Sequence, residues 1–426
     1  MKRRESPSGN TFLSKKRFAV VAIVLCSVFL AVLPAAATDD ERIDIYGNAN
    51  EDDTIDMRDT THIKLIIFGK KPETELADAN YDGKISMLDV GQTKLIIVGK
   101  AGKVTIIDSA ERAVTLNLPI ERVVALSTRA PLGTLRVLEA GDKIVGINGM
   151  VGSDPFYEEF LELPSVGYPE PDYEAIVDIE PDLIVASTNP YLSFDIVERM
   201  KPYGINVALL DCGGEPVKYA RELRILGVIL VNQERANEYL EFLDSNFNRA
   251  QEMLDELTSE EKKTVYFEFM EPYLINSRSH ETIELAGGID IFADVWEGAS
   301  GYQTVKVESE EISYRDPDVI LKDPHSGTRF SGFADGVLEN MEESRDDLRT
   351  RLGNITAVRN DEVYIVASEL GNERTISTCF LATLLYPDLT SDLEPGLILE
   401  EYLEEYHGKD YDKYQAVIYH PTKSMK

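Results

Sequence analysis

The chain has 426 residues, of which 76 are Asp or Glu and 43 are Lys or Arg, for a formal net charge of −33. A surface this acidic repels phosphate backbones instead of neutralising them, which excludes nucleic acid as a partner. Five scattered histidines and three cysteines, with no His-x-His or Cys-x-x-Cys spacing, argue against a dedicated site for a naked transition metal.

The chain opens with Lys15-Lys16-Arg17, an apolar run at 18–33 and then Ala35-Ala36-Ala37. That order of basic, apolar and small residues is a secretory signal with cleavage after Ala37. A run of this length also suits an uncleaved anchor. Residues 1–37 are therefore read as a signal peptide or an N-terminal anchor. Cys26 lacks the small residues that precede a lipidated cysteine, and no second apolar run is long enough to span a bilayer. The expected location is secreted or at the cell surface, outside the cytoplasmic membrane.

Residues 38–101 hold an internal duplication. Aligning 48–70 with 78–100 leaves 12 of 23 positions identical. The first copy places Asn48, Asn50, Asp52, Thr54, Asp56 and Asp59 at positions 1, 3, 5, 7, 9 and 12 of a loop; the second places Asp78, Asn80, Asp82, Lys84, Ser86 and Asp89 there. Oxygen at these positions, with a backbone carbonyl at position 7, is the donor pattern of a hard cation that takes six to eight oxygens. Ile55 and Ile85, at position 8, are expected to cross-pair in a small core. Each loop runs into a helix ending Lys-Leu-Ile-Ile and closed by Gly69 or Gly99. The pair resembles dockerin repeats. The resemblance implies a small helical domain, bound Ca2+ and a cohesin-bearing surface partner. Two positions depart from the pattern: Asp53 stands where a left-handed glycine is expected, and Asn48 lacks the charge of Asp78. Loop 48–59 is expected to bind calcium less tightly than loop 78–89. Met57-Arg58 and Met87-Leu88 replace the small hydroxyl residues that select the cohesin in the best-known dockerins, so the partner's identity does not carry over.

From residue 102 the pattern is α/β. Strands are expected at 104–107 and 113–116, at Arg122-Val123-Val124-Ala125-Leu126, and at 143–147, 183–186 and 207–210, which makes a first lobe over 102–231. A proline-free amphipathic helix follows within 232–260, with Ala236, Tyr239, Leu240, Leu243 and Phe247 on one stripe, stiff enough to connect two lobes. Strands at 264–267, 319–321 and 362–366 mark a second lobe over 261–400. The tyrosine-rich stretch 401–426 reads as a peripheral extension. Cys212 and Cys379 are either one disulfide or two buried thiols. The two lobes also echo each other: Glu174, Pro181 and Asp182 match Glu310, Pro317 and Asp318, each set spanning a short helix and a buried strand. Both lobes follow one plan.

Together with Val166-Gly167-Tyr168, Leu285-Ala286-Gly287-Gly288 and the run Ala357 to Tyr364, in this order, these motifs resemble the periplasmic-binding-protein family that serves ABC importers of iron-siderophore complexes, haem and cobalamin. The resemblance covers roughly 104–395. It implies two Rossmann-like lobes joined by a long helix, an ABC permease as partner, a metal-chelate or corrinoid ligand between the lobes, and no catalysis. It also implies permease docking by Glu174 and Glu310. The loops after the strands then nominate Ser127, Thr128, Arg129, Asn148, Tyr168, Asn189 and Tyr191 from the first lobe. From the second come Tyr273, Arg278, His280, Trp296, Tyr302, His325 and Arg329. Arginine and aromatic rings suit a bulky ligand with apolar faces and anionic edges. A surface polymer-binding component and a dockerin-tethered enzyme are the alternatives, although no Gly-x-Ser-x-Gly elbow or phosphate-cradling loop is present.

Overall fold

A computed structural model describes residues 42–126, 129–152, 154–189, 195–213, 215–298, 303–323, 337–366, 374–414 and 418–419. The apolar run at 18–33 lies outside them. Among the described residues no helix is long and apolar enough to cross a membrane.

The duplicated segment forms two matching helices, α1 (Met57–Ile67) and α2 (Met87–Ile97). Residues at loop positions 9 and 12 start each one. Asp56 accepts from the Arg58 N–H (2.6 Å) while Asp59 accepts from the Asp56 N–H (2.8 Å), and Ser86 and Asp89 repeat this at 3.1 and 2.7 Å. These are capping boxes. Gly69 and Gly99 end the helices at φ 65° and 64°, each donating back to the final turn. Ala49, Ile63, Ile66, Ala77 and Val90 form a small core with Ile85 at its edge. Ile55, expected to cross-pair with Ile85 in this small core, is buried in the main core instead.

The helical pair is welded to the ribbon that comes after it in the chain. Strands β1 (Lys103–Ile107) and β2 (Ala113–Asn117) form this antiparallel ribbon. Ile45 bridges to Ile106, Tyr46 donates to the Thr105 carbonyl (3.0 Å), and Ile107 donates to the Asp44 carbonyl (2.8 Å).

In the first lobe, β3 (Val123–Ala125), β4 (Ile144–Ile147), β5 (Leu183–Ala186) and β6 (Asn206–Leu209) form a parallel sheet ordered β4-β3-β5-β6. Helices α3 (Ala130–Val137), α4 (Tyr173–Ile179), α5 (Ile196–Met200) and α6 (Pro216–Ile229) connect and cover it. In the second lobe, β7 (Thr264–Phe269), β9 (Ile289–Asp290), β11 (Val319–Asp323) and β12 (Val363–Val366) are parallel in the order β9-β7-β11-β12. Helices α8 (Ser277–Leu285), α9 (Ser309–Arg315), α10 (Val337–Arg351), α11 (Thr356–Arg359) and α12 (Arg374–Leu385) surround it. A short antiparallel pair, β8 (Leu274–Asn276) and β10 (Thr304–Lys306), stands beside it. Numbered within each lobe, both sheets run second, first, third, fourth.

The Pro-Asp echo has a physical cause. Asp182 accepts from the Glu121 and Arg122 N–H groups at 2.9 Å, and Asp318 accepts from the Thr264 N–H (2.9 Å) and hydroxyl (2.8 Å). Each carboxylate therefore ties the third strand to the start of the first. The helices before them, α4 and α9, both end on a left-handed residue, Glu180 and Asp316.

The connector α7 (Gln233–Leu254) lies against α6 at one end and α12 at the other. It ends earlier than its charge pattern suggests, with Asp255 as its C-cap. The described residues from 401 to 414 are not peripheral, contrary to expectation. Helix α13 (Pro395–Glu401) leads into Tyr402, Leu403 and Tyr406, all buried, and Tyr406 meets Tyr239 at 4.8 Å and Phe242 at 4.9 Å. After α14 (Tyr411–Tyr414), β13 (Ile418–Tyr419) adds antiparallel to β12 and covers its edge. Alternating tyrosine and charge here is the amphipathic pattern of a cover, not of a solvated tail. Cys212 and Cys379 are separate buried thiols, which decides the open pairing.

His407 is buried against Tyr402 (4.4 Å) and Phe156 (5.5 Å), with no hydrogen-bond partner on either ring nitrogen. Burial, aided by the positive charges of Arg136, Lys409 and Arg235, holds its pKa well below the usual value. The unfolded chain therefore binds one more proton below about pH 6.5, and stability falls as pH drops through that value. A His407→Phe variant is expected to flatten the acid limb of a stability–pH curve by about 1.4 kcal/mol per pH unit. An unchanged slope in urea titrations between pH 5 and 6.5 would contradict this.

Candidate functional site

Ligands of open parallel sheets gather at the carboxyl ends of the strands, where the strand order reverses. In the first lobe those ends carry Arg129 after β3, Asn148 after β4, and Ser187, Thr188 and Asn189 after β5. Arg129 Nε lies 3.2 Å from Asp154. Asn148 is buried and caps its own turn, with Oδ1 accepting from the Met150 N–H at 2.6 Å. Tyr168 is half-exposed and close by, because the Gly149 N–H donates to the Gly167 carbonyl at 3.1 Å. Gly167 (φ 92°) admits no side chain: a Cβ there would meet Glu170 O at 2.4 Å. Arg129, Asn148, Tyr168 and Asn189 thus share one edge of one sheet.

Sequence reading missed the group that orders the rest of this edge. Asp211, just past β6, accepts from the Ser187 hydroxyl (2.6 Å), from the Thr188 N–H and hydroxyl (both 2.7 Å), and from the Lys218 ammonium. Burial opposes its ionisation, but the bonds from Lys218, Ser187 and Thr188 hold it below the ordinary carboxylate range. Behind it, the buried Glu222 accepts from the Asp211 N–H (3.1 Å) and the Cys212 N–H (2.7 Å).

The second lobe has a counterpart. Glu268, 0% exposed near the end of β7, meets Lys322 of β11 at 3.0 Å and Arg351 of α10 at 2.8 Å, and accepts from the Tyr273 N–H at 2.7 Å. Arg351 also lies over the Tyr273 ring, 4.7 Å from its centroid. Tyr273 is therefore held from both sides. The remaining nominees divide. Arg278 is exposed on α8. Trp296 is a core residue and not an open wall, because it is buried and its indole N–H donates to Asp290 at 3.2 Å. His280 binds the same Asp290 at 3.1 Å, so Asp290 joins two side chains that the sequence offered to a ligand. Ser127, Thr128, Tyr191, Tyr302, His325 and Arg329 lie outside the described residues.

Glu174 and Glu310 occupy the same place, the second residue of the seven-residue α4 and α9, and both are exposed. The neighbouring Glu311 is a different case: it pairs with Arg315 at 2.6 Å, whereas Glu310 is met by the Ser309 hydroxyl at 3.0 Å.

The two acidic loops differ in how well they suit calcium. Among the described residues no three His, Cys, Asp or Glu side chains are gathered as a metal cage, so the donor set decides the fit. In loop 78–89, Asp78 accepts from the Asp82 (3.1 Å) and Gly83 (2.7 Å) N–H groups, and Asp82 and Asn80 repeat such turns. That leaves further lone pairs on Asp78, Asn80, Asp82, Ser86 and Asp89, together with the Lys84 carbonyl, and this set fits a hard cation. In loop 48–59, Asn50, Asp52, Thr54, Asp56 and Asp59 keep their register, but position 1 is filled by the Asn48 amide as a donor, and the set does not fit.

Against known proteins, the sequence profile described as "Periplasmic binding protein" matches residues 123–370, more than half the chain. A Veillonella parvula TroA-like periplasmic binding protein, FepB, superposes with a TM-score of 0.62 at 21% identity, over 74% of this chain and 99% of that one. MolA of Haemophilus influenzae, solved bound to molybdate, gives 0.56 at 16%, over 72% and 98%. Helicobacter pylori CeuE with Ni(II) gives 0.52 at 16%, over 74% and 99%. No curated protein matches the chain. At these identities the solved structures speak for the fold, and the profile speaks for the family. A two-lobed α/β fold of one repeated topology, matched by that profile over both sheets, places this chain in the periplasmic binding protein family of ABC-transporter solute receptors: extracytoplasmic carriers that partner with a permease, and not enzymes.

Proposed function

We propose that the chain receives a metal chelate or corrinoid for an importer, and that residues 38–101 fasten it through a calcium-dependent, dockerin-like contact to a cohesin-bearing partner. The observation that carries the ligand reading is the pair of preorganised edges. Arg129 and Tyr168 stand on the first lobe, and Tyr273, fixed beneath Arg351, stands on the second. Guanidinium and aromatic faces suit a large, flat or wrapped ligand with anionic edges. Structural relatives solved with molybdate and with Ni(II) support metal-containing cargo. Glu174 and Glu310 are the permease contacts in this reading, one on each lobe.

The fastening reading rests on the loop 78–89 donor set and on the exposed apolar side chains of the helical pair: Met57, Phe68, Met87, Leu88 and Val98. Such a group outside any core needs a cover. Calcium would hold loop 78–89 in one shape for that partner.

A thermal-shift screen of the full chain against ferric siderophores, haem, cobalamin and cobinamide tests the cargo. One class is expected to raise Tm, since saturation at 100 Kd adds about 2.7 kcal/mol to the native state. Arg129→Ala is expected to weaken that ligand at least about tenfold, roughly 1.4 kcal/mol. No shift with any of the four classes would remove the chelate reading.

A further inference from the structure

The two acidic loops close in opposite ways. In loop 78–89 the position-1 carboxylate of Asp78 receives backbone N–H groups, and Gly83 at position 6 takes φ 84° to present one of them. In loop 48–59 the direction is reversed. Asn48 Nδ2 donates to the Asp52 carbonyl (2.6 Å) and the Ile43 carbonyl (2.9 Å). The Asp52 carbonyl also accepts from the Ile43 N–H at 3.1 Å. A carbonyl faces position 1 here, which requires a donor there, and the backbone needs no left-handed turn at Asp53. Asn48 and Asp53 are thus one matched change and not two separate defects.

The cation positions are also filled from within. The Arg58 guanidinium lies 3.0 Å from Asp52, 2.8 Å from Asp56 and 3.2 Å from the Thr54 hydroxyl, covering positions 5, 7 and 9. Its counterpart in the second loop is Leu88. Asp53, freed from the turn, faces Arg224 of the first lobe at 3.3 Å. Asn48 Oδ1 is buried and unpartnered, and Asn50 and Asp59 accept backbone N–H groups as Asn80 and Asp89 do. With a neutral amide donating at position 1 and Arg58 bound to the carboxylates of positions 5 and 9, the oxygens that remain fall short of the charged set that calcium takes in loop 78–89.

We propose that loop 48–59 is a metal-independent joint, closed by Asn48, the Ile43 amide and the Arg58 guanidinium, and that calcium enters loop 78–89 alone. The second half of this statement rests on the proposed calcium site in loop 78–89; the first half does not. The joint continues into Asp44 and Tyr46, which pair with β1, so the helical pair stays fixed to the first lobe whether or not calcium is present. Chelation then releases the partner-facing loop without detaching the module from the receptor.

Calcium counting on the full chain by equilibrium dialysis, combined with amide exchange in chelator, tests both halves. The native chain is expected to bind one ion, Asp78→Ala with Asp82→Ala none, and Asn48→Asp with Asp53→Gly and Arg58→Leu two. In chelator the Ile43, Tyr46 and Ile107 amides should keep their protection, while the Asp82, Gly83 and Lys84 amides should lose at least roughly tenfold. Two ions on the native chain, or lost protection at Ile43, would overturn the joint. No ion on the native chain, with Ile43 still protected, would overturn the calcium reading of loop 78–89 and support the joint.

Discussion

Reversing the charge at both Glu174 and Glu310 is expected to stop import while leaving ligand affinity within about twofold, since both side chains are exposed on their helices and neither is among the residues that follow the strand ends. Both carboxylates are solvent-exposed at the second position of α4 and α9, and the repeated topology places them equivalently on the two lobes. A rim charge typically contributes about 1 kcal/mol. Reversal adds repulsion to that loss, and engagement of both lobes at once multiplies the effects, so Glu174→Arg with Glu310→Arg should reduce delivery by roughly a hundredfold. The two single reversals should cost about the same as each other, and Glu311→Arg much less, because Glu311 is occupied by Arg315. Uptake assays with the receptor and its permease, alongside ligand titration, separate docking from binding. Normal uptake by the double variant would dismiss these two residues as the contact.

Much of the fold could be read from the chain because its signals are local. Val123-Val124-Ala125 and Val363-Tyr364-Ile365-Val366 are buried throughout, as parallel strands covered on both faces must be. The Pro-Asp echo was legible for the same reason. A carboxylate that ties the third strand to the first is needed once per lobe, and it comes at a fixed offset from the strand that carries it. The acidic loops were legible as a repeat, but their difference in closure was not. That difference depends on which way the peptide after Asp52 faces, which the Asn48 and Asp53 substitutions hint at only when taken together.

The site was less legible because its ordering groups are brought together from distant segments. Nothing in the local sequence of Asp211 announces that Ser187, Thr188 and Lys218 converge on it. The lone Trp296 drew attention by its rarity, yet Asp290 takes its N–H and the core takes its ring. Tyr402 and Tyr406 read as peripheral because glutamates surround them, while their spacing of four was the helical clue that both face Tyr239.

Glu268→Gln is expected to be the most damaging single substitution in the second lobe. The carboxylate is fully buried and holds two cations, Lys322 at 3.0 Å and Arg351 at 2.8 Å, besides accepting from the Tyr266 hydroxyl at 3.2 Å. Glutamine keeps the shape and one acceptor but leaves both cations facing a neutral amide in a dry site. Breaking a buried pair in this way typically costs about 3–5 kcal/mol, much more than the pair's net worth. Removing the cations as well should therefore restore part of the loss. Glu268→Gln with Lys322→Met and Arg351→Met is expected to be less destabilised than the sum of its parts. Differential scanning calorimetry would follow the second-lobe transition, since two lobes need not melt together. Because Glu268 and Arg351 also position Tyr273, ligand affinity should fall with stability in the single variant. If the triple variant rescued melting, affinity should remain low, as the Tyr273 ring would have lost its guanidinium. Additive losses across the three sites would mean that the charges act independently, and recovery of affinity along with stability would mean that Tyr273 does not touch the ligand.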